Sequence, residues 1–90
     1  VWTSNTLTEA GFENTASRFH GQTVEVYFIA SAPFTGTLLA TGRNDKNQEI
    51  ARVRVPVEFA AEDARFVTFE LPGKLAPNEL KLVVIDRLPD

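Results

Sequence analysis

Cysteine and methionine are both missing from this 90-residue chain, and histidine, tryptophan and tyrosine occur once each, as His20, Trp2 and Tyr27. Without cysteine there are no disulfides, no thiolate nucleophile, no iron–sulfur cluster and no cysteine-ligated zinc. Core packing has to carry the stability. No run of apolar residues approaches the ~20 that a membrane helix requires, and no basic amphipathic stretch suggests a lipid surface. Excess positive charge is also lacking: nine Lys and Arg against twelve Asp and Glu give a net charge of −3, so no footprint exists for a phosphate backbone. Nucleic acid and membrane insertion are therefore not expected. The five glycines, Gly11, Gly21, Gly36, Gly42 and Gly73, are scattered singly, so none forms a phosphate-cradling loop.

What the chain has is the apolar content of a folded domain, 43% against 23% charged residues. Ninety residues make one domain, 1–90, with residues 1–20 as an irregular segment that packs on the rest. The chain opens at Val1 rather than methionine, which leads us to expect an excised domain or a chain whose signal peptide has been removed.

The clearest pattern runs from Glu49 to Phe59. Ala51, Val53, Val55, Val57 and Phe59 alternate with Arg52, Arg54, Pro56 and Glu58, the period of two that a half-buried strand shows. Thr23–Ser31 alternates similarly, with Val24, Val26, Phe28 and Ala30 on one face and Glu25, Tyr27 and Ile29 on the other. Pro33 stops it, because proline has no N–H to donate. A strand over Thr35–Thr41 follows, and the polar run 42–48 predicts a hairpin turn into Glu49–Phe59. Ala60–Ala64 favours a short helical turn. A strand over Arg65–Leu71, ended by Pro72 and Gly73, aligns Val67, Phe69 and Leu71. The last strand, with Leu80, Leu82 and Val84 on the core side, finishes near Asp86. At the N-terminus a strand over Trp2–Thr8 is expected, and Glu13–Arg18 fits either a helical turn or a second short strand.

Six or seven short strands with turn signals between them predict an all-β fold, a sandwich of two antiparallel sheets. Over residues 23–86 the spacing resembles the fibronectin type III and bacterial immunoglobulin-like modules of secreted and cell-surface proteins. The resemblance implies a non-catalytic accessory module, outside the cytoplasm, that acts as a spacer or contacts a protein partner or neighbouring domain. It lies in pattern: there is no cysteine pair, Trp2 is terminal rather than central, and Tyr27 falls in an early strand. No functional residue is carried over from it.

Chemistry has few candidates. His20, in Phe19-His20-Gly21-Gln22, reads as a loop residue, and no serine has the glycine-flanked setting of a nucleophile elbow. Glu62 and Asp63 are adjacent carboxylates in a turn, with no pocket to raise a pKa. No enzyme activity and no cofactor are expected. Asp45, Asn47 and Glu49 resemble the start of a calcium loop but lack its glycine and closing glutamate, and Lys46 adds positive charge.

The leftover feature is apolar residues on strand faces that should meet water: Tyr27 and Ile29, Phe66, Val83 and Ile85, and Leu39 beside Leu38. Either the N-terminal segment covers one outer face with Trp2, Leu7, Phe12 and Phe19, or these residues form a patch for a partner. The expected contacts are Tyr27, Ile29, Phe66 and Ile85. The alternative is a carbohydrate or small-ligand module using Trp2 and Tyr27 as stacking platforms, with Asn44 and Asn47. Millimolar calcium is expected to leave the melting temperature unmoved; a rise would establish a metal site at the 42–49 hairpin.

Overall fold

A computed structural model describes residues 1–76 and 78–88. Its elements are β1 (Trp2–Thr3), a single-turn helix α1 (Asn5–Glu9), β2 (Phe12–His20), β3 (Thr23–Ala30), β4 (Phe34–Arg43), β5 (Glu49–Phe59), β6 (Ala64–Glu70) and β7 (Leu82–Arg87). They form two layers, a first sheet in the order β1-β7-β4-β5 and a second in the order β2-β3-β6. The fold is an all-β sandwich. Every pairing is antiparallel except one: β1 runs parallel to β7, with Trp2 beside Val84 and Thr3 beside Ile85.

The central strand of the second sheet, β3, buries Val24, Val26, Phe28 and Ala30 completely. Opposite it Leu38 and Ala40 of β4 and Val83 and Ile85 of β7 are equally inaccessible. The long alternation in β5 survives as a gradient. Phe59 is buried, but Ala51, Val53, Val55 and Val57 are only half-buried, because a four-stranded sheet overhangs a three-stranded one and β5 is the strand at its margin. Pro56 suits that margin: β5 has a neighbour on one side only, so a missing N–H costs no ladder bond on the other.

Four expectations are corrected. On β7 the faces are exchanged, with Val83 and Ile85 inward and Leu82 and Val84 half-buried outside. Four consecutive apolar residues satisfy either assignment, and pairing decides: Val83 lies opposite Gly42 and Ile85 opposite Ala40, the inward side of β4. Ile85 is thus a core residue. At the N-terminus the expected strand Trp2–Thr8 breaks after Thr3 into α1, and residues 13–18 are part of a strand, which settles the choice left open there. Leu7 and Phe12 enter the core instead of covering an outer face, while Trp2 and Phe19 stay exposed. Finally, 60–63 is a tight turn and not helical: the Asp63 N–H donates to the Ala60 carbonyl (3.2 Å), the Asp63 carboxylate accepts the Ala60 N–H (2.9 Å), and Glu62 sits at φ 66°. The Asp63 side chain closes this turn from within, and the left-handed backbone at Glu62 breaks a right-handed helical path.

The two layers are joined by an aromatic cluster. Phe12 stacks on Phe28 of its own sheet (centroids 4.5 Å apart) and on Phe34 of the other (4.8 Å), and meets Phe59 edge-on at 4.7 Å. Replacing Phe12 by alanine removes the shared member and leaves a cavity between sheets, so Phe12→Ala should lose about 3–5 kcal/mol in urea denaturation. Phe66→Ala, on an exposed face, should lose far less; equal losses would show that the cluster does not join the layers.

Candidate interaction surface

The residues with chemical potential are spread out. His20 ends β2 with a side chain 62% exposed, and its Nε2 lies 3.9 Å from the Glu25 carboxylate, which Arg18 already engages at 2.6 Å. Asp63 is committed to the Ala60 N–H and to Arg65 at 3.6 Å, and Glu62 faces solvent. At the 44–48 hairpin tip the Asn44 side chain is a structural hub: its Oδ1 accepts the N–H groups of Lys46 and Gln48 (both 2.9 Å) and its Nδ2 donates to Gln48 Oε1 (3.0 Å). Arg43 donates to the Asn47 carbonyl, and Glu49 receives two bonds from Arg52, at 2.7 and 3.1 Å. Among the described residues no group of three or more His, Cys, Asp or Glu side chains could hold a metal ion. No described helix is long and apolar enough to cross a membrane.

The outer face of the second sheet gathers three of the residues singled out from sequence. Pairing across β2, β3 and β6 sets Ala16, Tyr27 and Phe66 in one row, and Glu13, Ile29 and Ala64 in the next. Tyr27 and Phe66 meet edge to face with centroids 5.0 Å apart, and the Arg18 guanidinium lies 4.6 Å over the Phe66 ring. Ile29 and Phe66 remain 39% and 43% exposed. Below them the Arg18–Glu25 pair borders the patch, so an apolar centre has a charged rim.

The other two named residues lie elsewhere. Ile85 is buried, as described, and Trp2 is 57% exposed at the far margin of the first sheet, beside Val84. Trp2 and Tyr27 therefore stand on different sheets and do not form one stacking platform, while Asn44 spends its polar groups on its own turn.

A second feature was not legible in the sequence. Beside the end of β2 a groove of about 460 Å³ is lined by Phe19, Gln22, Leu75, Ala76 and Leu80 among others. Gln22 builds one wall: its Nε2 donates to the carbonyls of Leu71 (2.9 Å) and Gly73 (2.7 Å), and its Oε1 accepts the Leu75 N–H (3.1 Å). A register shift between Asn14 and Ala16 hides the alternation that would have marked Phe19 as inward-facing.

Comparison with protein-family models, with curated proteins and with solved structures returned no match.

The Arg52 hydrogen bond, reinforced by the charges of Arg52 and Arg43, holds the Glu49 carboxyl below its ordinary value of 4.5. A group depressed on folding stabilises the fold above its unfolded value, and that contribution disappears as pH falls through the folded one. NMR titration should give Glu49 a midpoint below an ordinary glutamate, returning to normal in Arg52→Gln. An unchanged midpoint in the variant would show that the pair is not formed in solution.

Proposed function

We propose that this chain is a non-catalytic, immunoglobulin-like module of a larger secreted, periplasmic or cell-surface protein, and that it contacts a protein partner or an adjoining domain through the outer face of β2-β3-β6. One observation carries this reading: Ile29 and Phe66, with Tyr27 between them, form an apolar patch on a face that the other described residues leave open. Burying half-exposed aromatic and branched side chains is favourable at about 25 cal/mol per Å², and aromatic anchors inside a polar rim are where interface energy concentrates. The arginine over Phe66 strengthens the case, since a guanidinium on a ring offers both an apolar plane and hydrogen-bond donors to an incoming chain. The scattered carboxylates and the single exposed histidine support no rival catalytic reading.

The double variant Ile29→Ser with Phe66→Ser tests it. Association with the adjoining domain or partner, followed by calorimetric titration, should weaken by about tenfold or more. The melting temperature of the isolated chain should move by only a few degrees, because neither side chain is in the core. Unaltered association would overturn the reading.

A further inference from the structure

The two sheets end in a step where β5 passes into β6, and both sides of that step come from one uninterrupted stretch, residues 49–71. β5 is the last strand of the first sheet and β6 the last of the second, so the wider first sheet carries β5 out beyond β6. Val53, Val55 and Val57 point inward from β5 and are only half-buried, whereas Phe59, at the closed end of the same row, is 2% exposed. The second layer stops one strand short of the valines. At the turn end Arg65 closes the step, donating to the Glu58 carbonyl and lying 3.8 Å over the Phe59 ring.

Main-chain groups face the step from both strands. The Leu71 N–H donates to the Gln22 carbonyl at 3.1 Å and the Asp63 carbonyl accepts the Ala30 N–H at 2.9 Å, so the odd-numbered residues of β6 turn their main chain toward β3. Ala64, Phe66, Thr68 and Glu70 turn theirs outward. On β5 the phase is read from Thr37, whose carbonyl accepts the Leu88 N–H at 3.0 Å and so faces β7. Its pairing partner Pro56, with Arg52, Arg54 and Glu58 in the same phase, therefore turns its main chain to the free margin.

We propose that a second copy of the chain fills this step. A two-fold axis parallel to the strands carries β5 of each copy into the place beside β6 of the other, facing the valine row across the layers. The step is its own complement, and each layer then runs through four strands of one copy and three of the other. β5 and β6 are joined by a tight turn and run in opposite directions, so β5 of one copy pairs antiparallel with β6 of the next. Rotation about that axis preserves height along the strands. With Arg65 level with Phe59, counting along both strands sets Val57 level with Val67, Pro56 with Thr68, and Arg54 with Glu70.

Charge supports this register. Arg54 and Glu70 lie on the outer faces of different sheets and form no salt bridge among the described residues. The pairing makes Arg54 of one copy the neighbour of Glu70 of the second copy, twice by symmetry. Pro56 has no N–H for the Thr68 carbonyl, so one ladder bond is forgone in each copy. The Tyr27–Phe66 face stays on the outside of the assembly, and neither reading rests on the other.

Sedimentation equilibrium of the whole chain up to millimolar concentration tests it. A monomer–dimer equilibrium is expected, and Arg54→Glu or Glu70→Arg alone should weaken it about tenfold or more, while the two together restore it. Within one copy these residues are on opposite sides of the sandwich, so the rescue has no intramolecular source. Arg54→Cys with Glu70→Cys, in a chain that has no other cysteine, should give a disulfide-linked dimer on mild oxidation, because directly opposed residues of such a pair stand about 5.5 Å apart. Arg54→Cys with Glu13→Cys should not. A chain that stays monomeric, a dimer indifferent to the charge reversals, or equal cross-linking of the two cysteine pairs would each overturn the proposal. So would a dimer dissolved by Ile29→Ser, which would place the contact on the Tyr27–Phe66 face.

Discussion

The ring of Phe12 is the point on which the two layers of this molecule turn. It belongs to the second sheet, yet it stacks with Phe34 and meets Phe59 of the first as closely as it meets its own neighbour Phe28. In a chain without disulfides, three rings within 5 Å of Phe12 tie the two sheets together through side chains. Two arginines close its margins from outside, Arg65 at 3.8 Å over Phe59 and Arg87 at 5.0 Å over Phe34. Their aliphatic stems cover apolar surface while their charges stay wet.

The unequal width of the sheets shapes everything outside that cluster. Four strands over three leave β5 overhanging on one side, where arginines, Pro56 and Glu58 restrict further pairing at the margin. On the other side α1 fills the first half of the gap by inserting Leu7, and the second half is left to Phe19. The two candidate surfaces thus differ in kind. The Tyr27–Phe66 patch lies on a sheet face, and the Phe19–Leu80 groove lies beside the end of β2 against the segment that follows β6.

Much of the second sheet's outer face was legible in advance because strand periodicity transmits directly to surface position. Once Val24, Val26 and Phe28 are inside, Tyr27 and Ile29 must be outside, and Val67 with Phe69 dictates the same for Phe66. The same logic failed for Ile85. A run of four apolar residues carries no phase of its own, and only the register against Gly42 and Ala40 supplied one. It also failed for Phe19, where a bulge one turn of the pleat earlier shifts the phase.

The amino-acid sequence by itself determined the class of fold, the strands between Thr23 and Glu70 to within a few residues, a hairpin between β4 and β5 whose turn is 44–48 rather than the whole polar run 42–48, and the lack of cysteine chemistry, because each follows from residue type and a period of two. Tertiary structure alone decided that Phe12 joins the layers, that β1 lies parallel to β7, and that a groove opens beside Phe19. Those depend on contacts between residues far apart in the chain, such as Phe12 with Phe59 and Trp2 with Val84, and local pattern holds no information about which distant segment will arrive.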